Sequence, residues 1–196
     1  MIFGLAGRPR SGKSYEAVVY HIIPAVKEGR KVITNIPLNI DKFKKIFGDK
    51  ADLIEVREFS FNSYGEKNSA LFSRPEDYQC EWRNEDGVGP LYVIDEAHLV
   101  LPRQCSTEIL EFYSMHGHYG IDITLLTQNF RKVNKDIRDM VETTHLCVKK
   151  NTHLGTDKTY TKKVFFWERK PRIQSVLMNV LMTKKLLWLL HFAHGQ

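Results

Sequence analysis

The chain is short of cysteine, of long apolar runs and of repetition, and each shortage excludes a class of protein. Three cysteines, Cys80, Cys105 and Cys147, stand in 196 residues. An odd count without CxxC spacing excludes a disulfide framework, shows no zinc-ligand pattern and suits a reducing cytosol. The longest late apolar stretches, "VLMNVLM" and "LLWLLHFAH", are interrupted by Lys184 and Lys185. Neither reaches the ~20 apolar residues that a membrane-crossing helix needs. The first apolar run follows Met1 with no charged segment before it, so no secretory leader is expected. No internal repeat or low-complexity tract is visible.

What is there points to one domain. A chain of this length with 42% hydrophobic residues can bury one sizeable core and is too short for two full domains. The formal net charge of +6 permits contact with nucleic acid or an anionic membrane surface without requiring either. Basic residues cluster late, in "FRKVNKDIRD", "VKKNTH" and "TYTKKVFFWERKPR", each of which can also be read as a solvated face.

Five runs, "IFGLA", "KVITNI", "LYVID", "DITLLT" and "HLCVKK", are rich in β-branched or aromatic residues and of strand length. Most are apolar without alternation, as strands buried on both faces of a parallel sheet are. Helix-like runs lie between them: "KSYEAVVYHIIPAVKEG", which Pro24 should kink or shorten, "STEILEFYSMHG" and "VNKDIRDMVETT". Alternating strands and helices predict an α/β fold with a mostly parallel central sheet flanked by helices. Residues 55–90 show no sustained period and are expected to form an irregular excursion with one short helix around "PEDYQCEWR". The expected organisation is a core over 1–158 and an extension over 159–196, strand-like in "TYTKKVFFW".

The chemistry begins at "GRPRSGKS". Gly7, Gly12, Lys13 and Ser14 fit G-x-x-x-x-G-K-[ST] at every fixed position. A glycine-rich turn opening a helix lets backbone N–H groups point at phosphate oxygens, and the helix N-terminus adds favourable partial charge. Lys13 then reaches the β/γ-phosphates, the Ser14 hydroxyl ligates Mg²⁺, and Tyr15 follows as a candidate nucleotide contact. Arg8, Pro9 and Arg10 occupy the variable positions.

"LYVIDEAH" delivers Asp95 and Glu96 to the carboxyl end of a buried strand, where open α/β sheets bind ligands. There Asp95 would hold Mg²⁺ through water, and Glu96 would orient and deprotonate the attacking water. A base beside the γ-phosphate favours hydrolysis over phosphoryl transfer to a metabolite. His98 completes a "DEAH" tetrad, but helicases of that type need two tandem motor folds that 196 residues cannot hold. "DITLLTQN" brings Thr127 and Gln128 to the same sheet edge, where Gln128 could bind the attacking water or the γ-phosphate. "NKDI" at Asn134–Ile137 lacks the N-K-x-D spacing of GTPases, so ATP is preferred. Arg103, Arg131 and Arg138 are candidates for an arginine finger reaching a neighbouring subunit's nucleotide.

"GKSYEAV", "GRKVITNIPL", "LYVIDEAH" and above all "HGHYGIDITLLTQN" followed by "DIR" resemble the zonular occludens toxin (Zot) family and the related filamentous-phage assembly ATPases. The resemblance covers residues 1 to about 150 and implies a RecA-like P-loop ATPase on the cytoplasmic side of the bacterial inner membrane. It implies work in phage assembly and extrusion of single-stranded DNA, alongside coat and export-channel proteins, in a homo-oligomer that can be a ring. It also implies the phosphate and Mg²⁺ roles for Lys13 and Ser14, the metal and base roles for Asp95 and Glu96, and a sensor role for Gln128. Gly117 stands between His116 and His118 where the family pattern leads one to expect arginine, so no trans-acting arginine is expected there. The family's later transmembrane helix and periplasmic domain have no counterpart here, and its toxin activity is not carried over. A nucleotide-gated scaffold and, less favoured, a small-molecule kinase are the rival readings.

Overall fold

A computed structural model describes residues 1–58, 71–149, 159–166 and 178–181, with side chains over 1–58 and 71–148. Eight strands form one sheet in the order β3-β2-β4-β5-β1-β6-β7-β8. They are β1 (Ile2–Ala6), β2 (Val32–Thr34), β3 (Ile54–Val56), β4 (Leu91–Ile94), β5 (Asp122–Thr127), β6 (Thr143–Lys149), β7 (Thr159–Phe166) and β8 (Met178–Leu181). The pairings from β3 through β6 are all parallel, while β7 and β8 add antiparallel strands beyond β6. The expected extension thus contributes two strands to the same sheet; "VKKNTH" beyond Lys149 and the apolar runs outside β8 lie outside the described residues.

The sequence after β1 builds α1 (Lys13–Ala17), a wide π turn (Val18–Ile22) and α2 (Ile23–Lys27), one following directly on the other. Pro24 explains the wide turn: it has no N–H to continue the i→i−4 ladder, and the chain accommodates it by an i→i+5 bond from the Ile23 N–H to the Val18 carbonyl. The proline neither shortens nor ends the helical run. Helix α3 (Ile40–Phe47) is an addition to the expected helices: Ile40, Phe43 and Phe47 pack on the core at helical spacing, and Asn39 caps it by accepting a bond from the Lys42 N–H at 3.1 Å. Helices α4 (Ala97–Val100), α5 (Thr107–Met115) and α6 (Lys135–Asp139) are the remaining α-helices among the described residues, and the run around "PEDYQCEWR" forms one short 3₁₀ turn at Pro75–Tyr78.

These helices divide the core in two. On one face Ala17, Val18, Ile22 and Val26 pack with Phe43 against Leu5, Val32, Val93 and Leu126. On the other, Val100, Ile109, Tyr113 and Ile137 pack with Phe72 and Tyr78 against Ile33, Tyr92, Ile94, Ile123 and Leu125. Neighbouring residues of β4 and β5 point into opposite layers, so an apolar run without alternation is what burial on both faces requires. The chain leaves β1 toward β2 on one side and later hops from β5 across β1 to β6 on the other. That reversal opens a crevice at the carboxyl ends of β1 and β5.

Candidate active site at the carboxyl edge of the sheet

Strand register assembles the site. Ala6 lies beside Thr127, and Ile94 lies beside Leu125. The residues that follow each strand, Gly7, Gln128 and Asp95, therefore emerge together along one edge, with β5 between the other two strands. The Gly7 N–H donates to the Thr127 carbonyl at 3.3 Å and ties the start of the glycine loop to the next strand.

The loop is closely packed where glycine stands. A Cβ on Gly7 would run into the Ser11 hydroxyl and the Cys147 carbonyl. Gly12 has φ of 96°, in the left-handed region that L side chains avoid, and caps α1. Lys13 is 7% exposed and Ser11 3% exposed, and the Ser11 hydroxyl has no hydrogen-bond partner among the described residues. Arg8 and Arg10 face solvent. Tyr15, just past the loop on α1, is buried at 4% exposure.

Asp95 is held on all sides. Its Oδ2 accepts from the Ser14 hydroxyl at 3.3 Å, and its Oδ1 from the Glu96 N–H at 2.8 Å. Asn35, just past β2, clamps its backbone: Oδ1 accepts from the Asp95 N–H at 2.7 Å, and Nδ2 donates to the Asp95 carbonyl at 3.0 Å. Burial pushes the Asp95 carboxyl above its ordinary range, and the Glu96 charge adds to this. The Glu96 N–H, the Lys13 ammonium and the Ser14 hydroxyl act in the opposite direction.

Glu96 adopts φ 52° and ψ 43°, a left-handed conformation rare for a residue with a side chain. The turn aims its carboxylate at β5, where Gln128 Nε2 donates to Oε1 at 3.3 Å. His98 Nδ1 lies 3.3 Å from Glu96 Oε2 and 3.3 Å from the Thr127 hydroxyl. Lys13, Ser14, Asp95, Glu96 and Gln128 are thus brought to one edge, as their spacing predicts. Asn35 and His98 are the contacts that sequence reasoning missed. Asn35 carried a signal, since it ends "KVITN" as Gln128 ends "DITLLTQ".

The three candidate arginines lie apart from this cluster. Arg103, Arg131 and Arg138 line one depression with Val133 and Lys135. Asn134 of the "NKDI" run is structural, capping α6 by accepting from the Asp136 N–H at 2.8 Å and donating to the Arg103 carbonyl at 2.9 Å.

The Ser14 hydroxyl and Asp95 carboxylate, two oxygen donors side by side, suit a hard cation such as Mg²⁺. The tight loop, buried lysine and unpartnered Ser11 hydroxyl suit a phosphate chain. The family model for zonular occludens toxin (Zot) matches residues 1–193. The chain belongs to the Zot family. The Gene 1 protein of Xanthomonas phage phiLf is 32% identical over 151 residues, covering 74% of this chain and 32% of that protein. The zona occludens toxin of Vibrio cholerae serotype O1 is 28% identical over 164 residues, covering 72% of this chain and 38% of that one. The chain therefore spans about a third of the length of these two Zot relatives.

Solved structures agree on the fold. The N-terminal domain of zonular occludens toxin from Neisseria meningitidis matches with TM-score 0.50 at 20% identity, over 96% of this chain and 97% of that one. The genome packaging NTPase of Sulfolobus turreted icosahedral virus 2, in complex with AMP, matches with TM-score 0.59 at 13% identity, over 91% and 95%. A KaiC-like protein from Pyrococcus horikoshii matches with TM-score 0.50 at 14% identity, over 92% and 84%. The fold of this Zot-family chain is that of the RecA-like P-loop NTPases. Among the described residues no helix is long and apolar enough to cross a membrane.

Proposed function

We propose that the chain is an ATP-hydrolysing motor domain for filamentous-phage assembly and export of single-stranded DNA. The observation that carries the enzymatic part is the convergence of the Lys13–Ser14 loop, the Asp95–Glu96 pair and Gln128 at the ends of three adjacent strands. Family membership and the Gene 1 relative support the phage-assembly part. Work at the cytoplasmic face of the inner membrane, contact with coat and channel proteins, and assembly into a homo-oligomeric ring belong to the same proposal.

In this reading Gly7, Gly12, Lys13 and the backbone near Tyr15 hold ATP, while Ser14 and Asp95 hold Mg²⁺. The bound cation would neutralise charge developing on the transferred phosphoryl group. Glu96 accepts the proton of the attacking water, its strained turn fixing the carboxylate toward β5. Gln128, already bonded to Glu96, orients that water, and His98 Nδ1 lies 3.3 Å from the second carboxylate oxygen.

Lys13→Ala should abolish binding of a fluorescent ATP analogue, and Glu96→Gln should keep binding while losing phosphate release. Undiminished hydrolysis by both variants would remove the site assignment. Tight ATP binding without turnover, with and without single-stranded DNA, would establish the nucleotide-gated scaffold instead. Labelled phosphate appearing on an acceptor would mark a small-molecule kinase.

A further inference from the structure

The depression that gathers Arg103, Arg131, Lys135 and Arg138 has a volume of about 440 Å³ and an apolar floor at Val133. Its cations come from different segments: Arg103 follows α4, Arg131 follows β5, and Lys135 and Arg138 belong to α6. Their nearby acids are Asp136 and Asp139 on α6, of which Asp139 sits 3.5 Å from Arg138 Nε. The segments are locked together. Pro102 bridges Val133, the Asn134 N–H donates to the Leu101 carbonyl at 3.1 Å, and Arg103 Nε donates to the Arg131 carbonyl at 3.3 Å. The cations are therefore presented on a fixed scaffold, whereas a solvated basic face needs none.

The shape decides what approaches. These side chains surround an open depression on the surface, into which an extended anion can settle. A chain of phosphodiesters does so, and its bases can stack on guanidinium planes. We infer that the Arg103/Arg131/Lys135/Arg138 depression binds the phosphate backbone of single-stranded nucleic acid. The inference deepens the export reading, resting on it only for the polymer's role, because binding is measured without turnover.

The depression adjoins the catalytic edge along the chain. Glu96 leads through α4 to Arg103, and Gln128 lies three residues before Arg131 on a turn where the Asn129 side chain accepts from the Arg131 N–H at 2.9 Å.

The test is fluorescence anisotropy of a short labelled oligothymidylate with the full chain, free of nucleotide. Two double variants, Arg131→Gln with Lys135→Gln and Arg103→Gln with Arg138→Gln, change side chains only, and thermal melts check that each folds. A control, Lys27→Gln with Lys45→Gln, removes equal charge from the opposite layer of helices. The depression variants should each weaken binding at low salt by roughly tenfold or more, and lower the slope of log affinity against log salt by about 1.4, or ~0.7 per lost cation. The control should keep most of its affinity. Equal loss in control and depression variants, or none in either, would overturn the inference. So would intact oligonucleotide binding together with loss of concentration-dependent ATP turnover, which would reassign these arginines to a neighbour's nucleotide. Oligonucleotide binding that depends on the depression while no variant or wild type hydrolyses ATP would sustain the inference and remove the motor reading alone.

Discussion

Two aspartates at opposite ends of the same parallel sheet are pushed in opposite directions. Asp122 begins β5 at the amino edge; burial raises its carboxyl, but bonds from the N-terminal ammonium at 2.8 Å and Arg30 at 2.7 Å outweigh this and hold it below its usual range. Asp95 follows β4 at the carboxyl edge and is raised, because burial dominates and Glu96 adds like charge. The amino edge is an ion-paired clamp in which Arg30 also serves the Gly89 and Pro90 carbonyls. The carboxyl edge keeps a desolvated carboxylate and a strained Glu96. One end uses its charges for stability, and the other holds charge that a cation would relieve.

The largest effect should come from Asp95→Asn. ATP turnover should fall at least ~100-fold, on the order of 3 kcal/mol of barrier, while the melting temperature holds or rises because a buried anion is gone. Unchanged turnover would sink the distinction. Arg30→Ala should do the reverse, costing about 2 kcal/mol in urea melts through the lost ion pair on Asp122 Oδ2 and two freed carbonyls, with nucleotide affinity retained.

Acid sharpens the contrast further. Asp122 has a folded value below its unfolded one, so its contribution is complete above the ordinary carboxylate range and disappears as pH falls through the folded value. Asp122→Asn should therefore cost about 1 kcal/mol at neutral pH and flatten the loss of stability below roughly pH 4. The smallest effect on stability is expected of Glu96→Asn: asparagine tolerates the left-handed turn, so stability should rise by up to about 1 kcal/mol, although hydrolysis is lost with the carboxylate. A fall in melting temperature would show that the contacts of Glu96 with Gln128 and His98 outweigh its backbone strain.

Much of the site was legible in the sequence because its chemistry is local. A glycine spacing, a lysine and serine opening a helix, and carboxylates ending an apolar run are each properties of a few consecutive residues. β1 and β5 also follow their runs closely, Ile2–Ala6 and Asp122–Thr127. β3 and α3 were missed for opposite reasons. Three residues at Ile54–Val56 are too few to show a period, whereas Ile40, Phe43 and Phe47 of α3 do carry the helical spacing that faces the core, in a run of eight residues crowded with charge. "VNKDIRDMVETT" yielded only Lys135–Asp139 as helix, since its last residues enter β6.

By itself the sequence determined the loop that fits phosphates, the carboxylates that accompany it and the double-sided burial of the strands, because backbone conformation and hydrophobicity are written residue by residue. Only the tertiary structure decided who meets whom: that β5 lies between β1 and β4, that Asn35 clamps Asp95, that His98 and Gln128 share Glu96, and that four cations from three segments close on one depression. Those contacts depend on strand order and register, which are set by packing across the whole sheet.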